Sequence, residues 1–157
     1  MGRGMDRIDR QILQILQQEG RLSTVELAER VALSPSPCAR RLKRLEDTGI
    51  ICGYKAELSR EKLQLATTVF VNIRLMHHRE DAVRLFENAI GLMEEIVACH
   101  VVSGAFDYLL EVVVRDLQSY ERLVRKLQAL AMVQDITSNF AIRTVKSGGL
   151  LPLNGLS

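Results

Sequence analysis

The chain has 157 residues, 47% of them hydrophobic, and a formal net charge of +2. That length holds one medium domain or two small ones, and the apolar share is that of a globular protein. No apolar run is long enough to cross a membrane as a helix and no charged-then-apolar leader opens the chain, so a cytoplasmic, nucleoid-associated protein with no membrane partner is the expectation.

The small net charge hides an asymmetry. Residues 1–62 hold twelve Lys and Arg against nine Asp and Glu, and residues 63–157 hold nine against ten. Nucleic-acid binding must therefore rest on where the cations stand, not on their total. Three scattered cysteines, Cys38, Cys52 and Cys99, read as reduced thiols. His77-His78 and Cys99-His100 do not chelate from one face if they lie on strands, because adjacent strand residues point opposite ways. No metal and no cofactor is expected.

In chain order, Ile8, Ile12, Ile15 and Leu16 recur at helical spacing and predict a first helix over about Asp6 to Gln18, ended by Gly20. Ser23-Thr24-Val25-Glu26 fits a capping box that opens a second helix, with Val25, Ala28, Val31 and Leu27 as its apolar edge. Ala32-Leu33-Ser34 makes a turn. Ser34 then caps a third helix with Pro35 in its first position, Ser36-Pro37 being a second candidate start. On that helix Cys38, Leu42 and Leu45 share one side, and Ser36, Arg40, Lys43 and Arg44 lie on or near the other. Arg41 projects nearer the apolar edge, where it can pair with Asp9 or Glu46 instead of touching DNA. Gly49 to Leu58 reads as a glycine-flanked β-ribbon.

Three helices and a ribbon make a winged helix-turn-helix, whose second motif helix enters the major groove of double-stranded DNA. The candidate DNA contacts are Ser34, Ser36, Pro37, Arg40, Arg41, Lys43 and Arg44. A merely solvated basic helix is the competing reading. Capping, spacing and turn all agree with the DNA-binding one.

From residue 63 onward the pattern changes. Residues 67–76 alternate, with Val69, Val71, Ile73 and Leu75 on one face. Residues 80–91 form a helix with Ala82, Leu85, Phe86, Ala89 and Ile90 on one stripe. Residues 94–103 and 106–115 are two strands joined through Ser103-Gly104-Ala105. Residues 117–130 are a helix with Leu117, Tyr120, Val124 and Leu127 facing in, and residues 135–146 are a last strand. The order β-α-β-β-α-β is ferredoxin-like. The fold class is α+β, with the winged helix-turn-helix and linker in residues 1–62 and the ferredoxin-like domain in residues 63–157. Both helices would cover one sheet face. The other would carry Phe70 and Met76, with Val97, Cys99 and Val101 or their alternates, beside Asn72 and Arg74. An apolar face left uncovered suits a second copy, giving a homodimer with two recognition helices.

These motifs together resemble the Lrp/AsnC family, the feast/famine regulators, over about Asp6 to Pro152. The resemblance is carried by Asp6-Arg7-Ile8-Asp9-Arg10-Gln11-Ile12-Leu13, Gly20-Arg21-Leu22-Ser23, Leu33-Ser34-Pro35-Ser36-Pro37-Cys38, Arg41-Leu42-Lys43-Arg44-Leu45-Glu46, Gly49-Ile50-Ile51 and Gly104-Ala105-Phe106-Asp107-Tyr108. The Ser-Pro-Ser-Pro-Cys run and the Asp-Tyr-Leu-Leu ending at Leu110 look closest to the leucine-responsive branch. Relatives often carry an acidic or polar residue where this chain has Ala105.

The resemblance implies a transcription regulator whose C-terminal domain senses a small amino acid, with a leucine- or methionine-like side chain as the leading guess. It implies dimers that assemble further, commonly to octamers. It places the effector at contacts between dimers, near Gly104 and Asp107, with Val102, Ser103 and Tyr108 beside them and Thr137 and Ser138 as weaker candidates. Asp107 can accept from an ammonium group, and backbone N–H groups around a glycine can approach a carboxylate. Gly-x-x-Asp is also an ordinary loop signature, in which Asp107 bonds only its own turn. Two other readings stand beside the regulator: an architectural DNA-binding protein that ignores amino acids, and an enzyme like the sirohaem decarboxylases of the same fold. No nucleophile–base constellation is visible, and catalytic residues are not expected.

Overall fold

The protein is described from a computed structural model covering residues 4–153. It forms two compact units. The first comprises residues 4–57 and 146–153, and the second residues 58–145.

The first unit holds α1 (Arg7–Gln18), α2 (Thr24–Arg30) and α3 (Pro35–Asp47). Asp6 caps α1 through a reciprocal box in which Asp9 N–H donates to the Asp6 carboxylate and Asp6 N–H to the Asp9 carboxylate. Ser23 and Glu26 form the predicted box on α2. The turn into α3 is a Schellman motif: Ala32 N–H donates to Glu29 C=O and Leu33 N–H to Ala28 C=O. Ala32 sits at φ +54°, a conformation that usually falls to glycine. Ile12, Leu27, Ala28, Cys38 and Leu45 build the core. Val25, expected inside, is exposed, because α2 turns Leu27, Ala28 and the following Val31 inward instead.

Two features of this unit differ from expectation. Residues 49–58 form no strand, so the predicted ribbon is a turn and irregular segment without a ladder. Residues 146–153, read from sequence as the end of the second domain, pack with the first unit. Leu151 N–H donates to the Gln17 side chain at 2.6 Å, the Gln17 amide donates back to Leu151 C=O, and Leu153 packs on the helical core.

The second unit holds β1 (Thr67–Leu75), α4 (Glu80–Gly91), β2 (Ile96–Val101), β3 (Tyr108–Val114), α5 (Leu117–Gln128) and β4 (Val133–Phe140). The four antiparallel strands lie in the order β2-β3-β1-β4. Val69, Val71, Ile73 and Leu75 on β1, with Tyr108, Leu110, Val112 and Val114 on β3, pack against Phe86 and Ile90 of α4 and Tyr120, Leu123 and Leu127 of α5. Leu85 and Leu117, expected in this core, are exposed. The last strand stops at Phe140, and Ile142 beyond it is fully exposed.

The opposite sheet face shows Phe70, Asn72 and Arg74 as expected, and on β2 it takes the second of the two sets the sequence left open. A register shift between Ile96 and Ala98 pairs Cys99 with Leu110 and Val101 with Tyr108. Cys99 and Val101 therefore lie on the helix side, and the alternates Ala98 and His100 on the open side. Arg60 reaches over this open face, donating to Thr68 Oγ1 and pairing with Glu111 at 2.9 Å.

Candidate functional site

The candidate DNA-binding edge is the outer side of α3. Ser34 is its N-cap, but its hydroxyl makes no capping bond, and Pro35 occupies the first turn. Ser34, Ser36, Arg40 and Lys43 are exposed and Pro37 is half-buried. Among the described residues no ion pair involves Arg40 or Lys43. Ser36, Arg40 and Lys43 share the outer side of the helix by its 100° step, with Ser34 at the N-cap and Pro37 in the first turns.

Arg41 and Arg44 do not join them. Arg41 Nη1 donates to Asp6 at 2.6 Å and to Asp9 at 2.9 Å. Arg44 Nη2 donates to Asp9 at 2.5 Å. Three residues apart, the two share a helix face. Their long stems carry the guanidinium groups back towards α1 even though the Arg44 Cα sits well round the wheel. Glu46, the other partner considered for Arg41, accepts instead from the Tyr54 hydroxyl at 3.0 Å. Asp9 is wholly buried. Removing either arginine takes a partner from a buried carboxylate, which ties both guanidinium groups to the fold. The Arg41–Asp9 pair is one the sequence offered; the pairing of Arg44 with the same carboxylate is the part it did not, although Asp9 stands with Ile12 and Leu13 on the buried side of α1.

The Asp9 N–H, followed by the Arg41 guanidinium, holds the Asp6 carboxyl at about 2, below its ordinary 3.8. A depressed folded value means stability that is present above pH 4 and is lost as pH falls towards 2. Asp6 is half exposed, so solvent screening keeps the contribution to about 1 kcal/mol or less. Asp6→Asn is expected to melt below wild type at neutral pH, with the gap closing between pH 4 and pH 2. Circular dichroism melts across that range check it, and a gap independent of pH would contradict it.

The candidate effector loop joins β2 to β3. Val102 N–H donates to Asp107 C=O and Asp107 N–H to Ile73 C=O, both at 2.9 Å, so the loop is closed on itself and pinned to β1. Gly104 takes φ +118°, which favours glycine. The Arg74 guanidinium donates to Ala105 C=O through Nε and Nη2 at 3.0 and 2.5 Å and lies over the Phe106 ring at 5.4 Å. Because Ala105 contributes its carbonyl, the identity of its side chain does not enter this clasp.

The Asp107 carboxylate accepts from Leu75 N–H at 2.7 Å and meets His78 Nε2 at 2.7 Å. Partial burial works against its ionisation, but these two bonds outweigh it and hold the carboxyl below the ordinary carboxylate range. At neutral pH Asp107 is an anion, with Leu75 N–H and His78 as its hydrogen-bond partners among the described residues. Arg74 and His78 were missed as members of this loop. Only the register that brings the end of β1 beside β3 reveals them.

Two of the predicted effector residues, Tyr108 and Ser138, turn to the helix side of the sheet. Tyr108 is 4% exposed and packs on Phe86. Burial, then its bond to Glu87, pushes its hydroxyl up to about 12. Ser138 accepts from the Tyr120 hydroxyl on the helix side of the sheet. Thr137 pairs with Asn72 on the open side, so Thr137 and Ser138 do not face one site. Val102, Ser103, Gly104 and Asp107 remain together in the loop.

The sequence matches the winged helix-turn-helix DNA-binding family over residues 5–51 and the Lrp/AsnC ligand-binding domain over residues 68–151. The chain belongs to the Lrp/AsnC family. The leucine-responsive regulatory proteins of Klebsiella pneumoniae and Escherichia coli K12 are each 44% identical to it over 151 residues, 96% of this chain and 92% of theirs. A transcriptional regulator from Neisseria meningitidis, solved in complex with L-methionine, matches at TM-score 0.93 and 41% identity, covering 97% of this chain and 99% of that one. An AsnC family regulator from Agrobacterium tumefaciens matches at TM-score 0.91 and 37% identity, covering 96% and 98%. This Lrp/AsnC protein is thus a transcription regulator, with a DNA-binding winged helix-turn-helix followed by a ligand-binding ferredoxin-like domain.

Proposed function

We infer that this regulator reads operator DNA through Ser34, Ser36, Pro37, Arg40 and Lys43, and that a small amino acid with an aliphatic or thioether side chain modulates it. The effector's ammonium group is assigned to Asp107 and its carboxylate to backbone N–H groups around Gly104. The observation that carries this reading is the ionised Asp107, partly exposed in a loop whose Gly104 is held at positive φ. The choice of side chain is supported by the methionine complex of the Neisseria regulator and by the names of the leucine-responsive relatives.

The active form is a homodimer, assembling to an octamer, in the cytoplasm. Exposed Phe70 and Met76 support pairing between copies. The protein acts by binding and not by catalysis, which fits relatives that are transcription regulators.

Calorimetric titration of the full chain with L-methionine and L-leucine, repeated with operator DNA present, tests the reading. Affinity for one of them should change when DNA is bound, by the same factor by which that amino acid changes DNA affinity. Binding of no amino acid in either state would instead favour the architectural protein.

A further inference from the structure

Asp9 is a buried charge that DNA recognition and effector sensing leave without a task. It lies in the first turn of α1 at 0% exposure, with Ile12 and Leu13 buried on the same helix. A carboxylate there persists only if it is paired and hydrogen-bonded. One donor is the Asp6 N–H at 3.0 Å. The other two, Arg41 Nη1 at 2.9 Å and Arg44 Nη2 at 2.5 Å, come from the recognition helix.

We propose that Asp9 is a positioning residue for DNA recognition: it holds Arg41 and Arg44 against α1, so that of the four cations from Arg40 to Arg44 only Arg40 and Lys43 meet the DNA. A guanidinium that left Asp9 for a phosphate would abandon a buried carboxylate, whereas Arg40 and Lys43 exchange only water for phosphate. Asp6 offers Arg41 a second anchor at 2.6 Å, while among the described residues Asp9 is the one acid paired with Arg44. Phosphate contacts supply the sequence-independent part of binding. Withholding two cations keeps that part small relative to base reading, and so protects discrimination. The proposal rests on the DNA-binding role of α3.

The test measures binding of the full chain across a salt series. The probes are a random-sequence pool of duplexes of about 30 base pairs, long enough for two half-sites, and one duplex that the protein itself selects from that pool. Asp9→Asn keeps the shape and loses the charge. It should bind the random pool several-fold more tightly, steepen the log–log salt slope by about 1 to 2, and narrow the ratio of selected to random affinity. With Asp9 in place, Arg44→Gln should leave the random-pool slope unchanged, whereas Arg40→Gln should lower it by about 1. A cooperatively melting Asp9→Asn protein with the wild-type slope would overturn the proposal. So would an Arg44→Gln slope lowered as much as that of Arg40→Gln. If Asp9→Asn does not fold, the comparison of the two arginine variants decides alone.

Discussion

A chain carrying both Arg40→Ala and Lys43→Ala is expected to bind its operator about 100-fold more weakly, while melting at the wild-type temperature. Both side chains are exposed and neither joins an ion pair among the described residues, so their removal leaves no buried group unsatisfied. Each lost contact to DNA is worth roughly 1–2 kcal/mol, and about 1.4 kcal/mol is tenfold in affinity. The single variants should separate two roles. A phosphate contact weakens binding to every sequence alike and lowers the salt slope by about 1. A guanine contact costs about 1–3 kcal/mol at one base position and leaves other sequences untouched. Mobility-shift titrations at several salt concentrations distinguish them. An unchanged operator affinity in the double variant would remove this edge of α3 from the DNA-binding surface.

How far the chain could be read before folding shows in these cations. The capping boxes, the Pro35 start and the inward edge of buried Cys38 and Leu45 with partly buried Leu42 follow from local chemistry, which a sequence displays directly. Arg44 misleads for a physical reason. A helical wheel gives the direction in which a side chain leaves the backbone, and a long guanidinium stem ends wherever its strongest partner is. The wing fails similarly: Gly49 to Leu58 has strand-like residues but finds no partner strand within the described residues. On β2 the two-residue period is sound up to one register shift, after which every side chain changes face. The return of residues 146–153 to the helical unit has no periodic signature at all; it rests on one glutamine and one leucine. The candidate effector loop is drawn by the sequence only as Gly104 and Asp107. Its other members, Arg74 and His78, lie about thirty residues away and are brought in only by strand pairing.

Asp107→Asn is expected to lose amino-acid binding by tenfold or more while keeping most of its thermal stability. Asp107 has two separable duties. As a loop residue it satisfies Leu75 N–H at 2.7 Å, and an asparagine oxygen can accept that bond as well. As an effector residue it supplies negative charge to an ammonium group, and asparagine cannot. Hydrogen bonds to charged groups contribute about 1.5–3 kcal/mol, against about 1 for a neutral pair, which sets the tenfold scale. Asp107→Ala removes both duties and leaves Leu75 N–H without its acceptor, at a further cost of about 1–3 kcal/mol in stability. Comparing the variants therefore isolates the charge. Calorimetry with L-methionine and L-leucine reads the binding, and melting without ligand reads the loop. If asparagine and aspartate bind the same amino acid equally well, Asp107 holds only its own turn, and the effector's ammonium group lies elsewhere. If asparagine loses stability as alanine does, the His78 contact carries more of the loop than the Leu75 bond, because that contact gains most from a charged partner.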